Sequence, residues 1–155
     1  MFKKIISIII IFNLFSHCGF APLYSNKNNL NFSISSIVFE GDKVINNFLK
    51  TELNQYQKIN SDKKFDIIAI TKYEKNTLSK NKAANITNYQ LSTNTIFKIK
   101  SGDKIIKELV ISERKIMDNI DDNFEEQKNE RTHKQNFASS ISNKLLTELS
   151  MLNDN

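Results

Sequence analysis

The chain predicts an α+β fold, a two-layer sandwich in which a four-stranded sheet carries two helices on one face, in the order β-α-β-β-β-α. Three observations predict it. Four segments alternate apolar and polar residues with the period of a strand, two others repeat apolar residues at helical spacing, and the later strands follow one another through short or moderate connections. Composition supports a packed body: 39% of the 155 residues are hydrophobic, 25% are charged, and only three Gly and one Pro occur. One domain fits this length, spanning residues 31–155.

The first strand is expected from Phe32 to Phe39, with Phe32, Ile34 and Val38 in one phase and Ile37 and Phe39 in the other. Gly41-Asp42 punctuates it. Asp42 can accept the free amides of a following helix, whose buried stripe is Ile45, Leu49, Leu53 and Tyr56 with Val44 and Phe48 beside it. The polar stretch Gln57 to Lys64 ends that helix. A second strand then runs from Phe65 through Ile67, Ala69, Thr71 and Tyr73, and a β-α-β unit favours a parallel pair.

Residues from Glu74 to Asn85 are rich in Lys and Asn and read as a loop. The clearest alternation follows: Tyr89, Leu91, Thr93, Thr95, Phe97 and Ile99 hold one phase, while the other is polar except for Ile96. Ser101-Gly102-Asp103 is turn chemistry, and a fourth strand from Ile105 to Ile111 closes an antiparallel hairpin. The charged stretch from Glu113 to Asn123 separates it from a long last helix. Its stripe is Phe137, Ala138, Ile141, Leu145, Leu149 and Leu152, which needs a sheet to cover.

Ahead of this body, Met1-Phe2-Lys3-Lys4 is a basic start and Ile5 to Phe12 an apolar run broken only by Ser7, the profile of a secretory signal peptide over residues 1–17. The run is shorter than the roughly 20 residues that span a bilayer, which argues against a permanent membrane helix. Cys18 stands where the run ends. Leu14-Phe15-Ser16-His17 approximates the box read by a lipoprotein signal peptidase, with Ser16 as its small residue and His17 where Gly or Ala is usual. Lipidation of Cys18 would anchor the chain, and residues 18–30, which contain the only proline, read as a tether. Gly19 follows where inner-membrane retention typically has Asp, so the expected destination is the outer membrane, facing the periplasm. As the only cysteine, Cys18 can form no intramolecular disulfide.

Other chemistries find little support. A formal charge of +5, lowered by two if Lys3 and Lys4 leave with the leader, and spread along the chain, does not indicate a nucleic-acid binder. Of two histidines, His17 belongs to the leader and His133 lies among charged residues of the last helix, where a solvated surface position is expected. No phosphate loop, spaced metal-ligand set or nucleophile elbow occurs. Asp121-Asp122 and Glu125-Glu126 match no calcium loop and are expected to cap and solvate the start of the last helix. Neither enzyme nor metal nor cofactor is expected beyond covalent lipid on Cys18; binding or assembly remains.

The run Cys18-Gly19-Phe20-Ala21-Pro22-Leu23-Tyr24 resembles the start of mature LptE, the lipopolysaccharide-assembly lipoprotein of alphaproteobacteria. The resemblance extends to Phe39-Glu40-Gly41, to the Asn-apolar-Leu pattern at Asn46 to Leu53, and to Asp122-Asn123-Phe124, Glu130 and the Phe137-Ala138 stripe. Thr132 and His133 stand where that family more often has small residues. The resemblance implies a subunit rather than a catalyst, one that binds the outer-membrane β-barrel LptD, plugs its lumen, assists its assembly and contacts lipopolysaccharide.

Lipopolysaccharide carries phosphates and acidic sugars, which lysines would meet. Candidates are Lys98, Lys100 and Lys104 around the hairpin turn, and a second group in or near the preceding loop, Lys72, Lys75, Lys80 and Lys82. Ordinary solvated lysines are the plain alternative for all seven. A lipoprotein accessory of an ABC-type lipid transporter, with the same anchor and an α+β periplasmic domain but no barrel, is the competing reading.

Overall fold

A computed structural model describes residues 32–59 and 61–153. Cys18, the leader and the tether lie outside these described residues. The elements are β1 (Phe32–Gly41), α1 (Lys43–Leu53) with a 3-10 turn (Asn54–Gln57), β2 (Lys63–Lys80), β3 (Ile86–Ser101), β4 (Lys104–Asp118) and α2 (Asn123–Asn153). The expected order β-α-β-β-β-α is the one found. The four strands form one sheet in the spatial order β1-β2-β3-β4, with β1 parallel to β2 and the other neighbours antiparallel.

The turn from β1 into α1 explains the parallel pairing. Gly41 has φ 93°, and a Cβ there would lie 1.9 Å from the Thr71 carbonyl oxygen of β2. The Asp42 amide donates to that same carbonyl at 2.9 Å. Its carboxylate accepts from the amides of Val44 and Ile45, which starts α1 where the sequence placed it.

The core lies between one face of the sheet and the two helices. Phe65, Ile67, Ala69 and Thr71 of β2 are buried there beside Leu91, Thr93, Thr95, Phe97 and Ile99 of β3. Ile45, Leu49 and Leu53 of α1 and Ile141, Leu145 and Leu149 of α2 close over them, all inaccessible to solvent. Thr95 turns its hydroxyl to that of Thr71, so this pair of buried oxygens is matched within the layer.

Three expectations need correction. Residues from Glu74 to Lys80 are strand, not loop, and only Asn81 to Asn85 remain as the connection. Their pattern carries little apolar signal, but β3 supplies the ladder as far as Lys80 opposite Ile86, and Ser79 bonds Asn88. Likewise β4 continues past Ile111 to Asp118 because Arg114 and Met117 stand opposite Ser92 and Tyr89. In β1 the register shifts between Ile34 and Ser36, so the phase changes partway. Phe32 and Ile34 are buried, but Ile37 and Phe39 then turn inward and Val38 is left 52% exposed.

Candidate functional site

The helices cover one face of the sheet and leave the other open among the described residues. Register defines the open face row by row. Val38, Ile68, Lys98 and Glu108 form one row across the four strands, and Glu40, Ile70, Ile96 and Val110 form the next. Together they put an apolar centre, with Val110 54% exposed, on the face turned away from the helices. The sequence contained this signal in Ile68, Ile70 and Ile96, the apolar members of otherwise polar phases.

Either side of that centre is polar. Toward the β3–β4 turn, Lys100 stands opposite Asp66 and Ile105, while Asp66 accepts a bond from Ser36 at 2.6 Å. In the other direction lies a shallow trough of about 290 Å³, bordered by Lys72, Asn76, Gln90, Asn94, Ser112 and Arg114. A surface that alternates amide, hydroxyl and ion with a narrow apolar band tolerates water better than a continuous apolar face.

The seven candidate lysines do not form one cluster. Lys98 and Lys100 share the open face of β3, and Lys104 begins β4 beyond the turn. Lys72 is on the same face, four rungs away and roughly 13 Å along the strand, paired with Glu74 at 2.9 Å. Lys80 and Lys82 are exposed at the far tip of the sheet, on the order of 40 Å from Lys98. Lys75 points to the opposite face. Its ammonium bonds Glu126 at 2.6 Å and Glu130 at 3.0 Å on α2 and lies 4.2 Å from the centre of the Tyr89 ring.

Lys75 belongs to a polar cluster that sequence reading missed. Tyr73 donates to Glu130 at 3.0 Å, and Lys134 sits 3.8 Å over the Tyr73 ring and 3.2 Å from Asp42. Burial, followed by the nearby charge of Glu130, keeps the Tyr73 hydroxyl protonated far above the usual phenol range. Burial opposes the charge on Glu130, but bonds from Lys75 and Tyr73 outweigh it and hold the carboxyl below its ordinary value. The spacing of Tyr73 and Lys75 on one strand face, and of Glu126, Glu130 and Lys134 on one helix face, was the available signal. The cluster ties the start of α2 to β2 and to the cap of α1.

Asp122 accepts from the amides of Phe124 and Glu125, as the sequence led us to expect of this acidic stretch. Glu126, by contrast, is turned inward to Lys75 rather than solvated. His133 is half-buried on α2.

No family model matches the sequence and no curated protein matches it. Solved structures do. Rare lipoprotein B from Shewanella oneidensis superposes with a TM-score of 0.55 at 13% identity, over 76% of this chain and 98% of that one. The chain has the lipoprotein B fold. A minor lipoprotein from Acinetobacter baumannii gives 0.52 at 16% identity, covering 74% of this chain and 92% of its own. Lipoprotein B from Nitrosomonas europaea gives 0.53 at 11%, over 81% and 88%. At these identities the likeness is one of fold: the α+β arrangement is the one these lipoproteins share.

Proposed function

We propose that the protein is an outer-membrane lipoprotein subunit of the machinery that assembles lipopolysaccharide, anchored through Cys18 and seated in the lumen of the LptD barrel. The observation that carries this reading is the joining of two independent features: a lipoprotein B fold over 76% of the chain, lipoprotein B being of the LptE family, and the Cys18-to-Tyr24 run that resembles the start of mature LptE. The open sheet face suits the role. A barrel lumen is lined by polar side chains and water, and a face of hydroxyls, amides and ions around a narrow apolar band can fill it without a large dewetting cost. Acyl chains on Cys18 would hold the subunit beside the barrel and raise its effective concentration there.

The reading includes contact with lipopolysaccharide, for which Lys98 and Lys100 on the open face and Lys104 beside the turn are the favoured cations. Lys75 is the weakest of the original candidates, because two carboxylates already neutralise it. The subunit supplies binding and assembly and has no chemical step of its own.

Gentle detergent extraction of the full-length tagged protein from its own membranes, with mass spectrometry of partners and of the mature N-terminus, tests the proposal. Expected are a large β-barrel and an acylated Cys18. Recovery of an inner-membrane permease would favour the ABC-transporter accessory, and an uncut leader or bare thiol would overturn the anchored reading. Charge reversal at Lys100 and Lys104 together is expected to weaken lipopolysaccharide binding, with the difference shrinking as salt is raised. Equal affinity at low salt would remove these lysines from the site.

A further inference from the structure

A second groove opens on the helix side of the molecule, between the start of α1 and the first turns of α2. It encloses about 430 Å³ and is walled by Val44 of α1 and by Phe124, Lys128, Glu130, Arg131 and Lys134 of α2. Phe124 is 73% exposed, more than any other large apolar side chain among the described residues. A lone exposed ring is ordinary on a protein surface, but this one borders charge that the fold does not neutralise.

Two of the groove's charges are matched internally: Glu130 is bonded to Lys75 and Tyr73, and Lys134 reaches Asp42. The other two are not. Lys128 lies 3.4 Å from Glu125 with both side chains largely in water, where such a pair contributes little. Arg131 forms no ion pair among the described residues; its guanidinium rests 5.3 Å from the centre of the Phe48 ring, a contact that occupies none of its N–H donors. The spacing of these residues is regular. Phe124, Lys128 and Arg131 follow one another at i, i+4 and i+7, which sets them in a row along one face of α2 with neighbours roughly 5–6 Å apart. Alternate side chains of an extended chain are separated by roughly 6.5 Å, so a segment lying along α2 can meet all three in turn. The apolar part of the groove is one ring and Val44, which matches a single apolar side chain better than an acyl chain.

We propose that this groove docks an extended, acidic segment of a partner polypeptide, with an apolar residue against Phe124 and Val44 and carboxylates at the next two alternate positions, against Lys128 and Arg131. The Arg131 fork can take a carboxylate through two parallel N–H bonds, and Lys128 acts as a point charge. The ring and the guanidinium are the side-chain types that carry most binding energy at interfaces, and the charges set direction and register. The inference does not depend on the barrel reading.

The test titrates the full-length protein, isotope-labelled and in mild detergent, with a synthetic peptide reading phenylalanine, serine, glutamate, serine, glutamate, followed by NMR. Expected are shifts confined to the surroundings of Val44, Phe124, Lys128 and Arg131, an affinity that falls as salt rises, and a loss of about tenfold when both glutamates are replaced by glutamine. Lys128→Glu should weaken the peptide by about as much, and this side chain is exposed enough that the fold is expected to survive. Arg131→Lys, which keeps the charge and loses the fork, should weaken it less. In native membranes, a photo-reactive phenylalanine in place of Phe124 should capture a polypeptide segment with Asp or Glu at alternate positions beside the captured residue. Absence of binding, equal affinity for the glutamate and glutamine peptides, or capture of a lipid or of a segment without that pattern would overturn the proposal. Recovery or absence of a β-barrel in detergent extracts bears on none of these outcomes, so the two readings fail separately.

Discussion

The two halves of α2 reach the same sheet by different means. From residue 137 onward the helix buries Phe137, Ala138, Ile141, Leu145, Leu146 and Leu149. Its first turns, residues 123–136, bury no side chain fully and are held by ions instead: Glu126 and Glu130 to Lys75, Lys134 to Asp42, and the Arg131 guanidinium 5.3 Å from the Phe48 ring. Apolar contact is not directional and hardly responds to pH or salt near neutrality, so the second half supplies stability. Ion pairs are directional and respond to both, so the first half sets the angle at which the helix leaves the core.

The difference can be broken at its strong end first. Leu145→Ala removes a fully buried side chain and is expected to cost about 2–5 kcal/mol in urea unfolding. Loss of the whole fold, rather than local opening, should follow, because α1 and the sheet share that core.

A smaller and more local effect is expected from Glu130→Ala, which strips both Lys75 and Tyr73 of an acceptor. About 1–3 kcal/mol is expected, with faster amide exchange confined to residues 123–136 while residues 137–149 keep their protection. Exchange that rises equally along the helix would mean that the two halves are one cooperative unit.

The same boundary should be visible in pH. Glu130 has its folded value held below the ordinary carboxylate range, so its contribution is complete above that range and is lost as pH falls through the folded value. Glu113, bonded to Lys144 and Ser140 of the apolar half against the opposing effect of burial, follows the same sign, but there Leu145 and Leu149 stay buried whatever its charge. Lys75 is raised, with its two carboxylates outweighing burial, so its contribution is lost only as pH climbs past the ordinary lysine range. Acidification should therefore loosen residues 123–136 before the apolar half, as read by amide exchange at stepped pH.

The smallest effect in this series is expected at the shared cap. Asp42→Ala removes the acceptor for the Val44 and Ile45 amides, and with it the carboxylate that Lys134 reaches. A loss of about 1 kcal/mol in urea unfolding is expected.

Most of the core was legible because burial leaves a period. The phase from Tyr89 to Ile99 and the stripe from Phe137 to Leu149 mark their buried faces directly, and Gly41-Asp42 marks a turn that only glycine can make against the Thr71 carbonyl. Where apolar periodicity stops, so did the reading. The extensions of β2 to Lys80 and of β4 to Asp118 are made of residues that would be equally at home in a loop, and they are strands because neighbours complete their ladders. The candidate site was legible only in part. Runs of lysine in sequence gave two groups, but residues an odd number apart on a strand face opposite ways, which sent Lys75 inward to Glu126 and Glu130 while Lys72, three residues earlier, stayed outside.

By itself, then, the order of residues settled which segments pair with the core and in what succession, since solvent exclusion acts on apolar spacing that the chain carries with it. Tertiary structure alone decided where each strand ends, which lysines keep a free charge, and that the first turns of α2 hang on an ionic cluster. Those outcomes depend on partners distant in sequence, such as Tyr73 and Glu130, and no local pattern specifies a meeting between them.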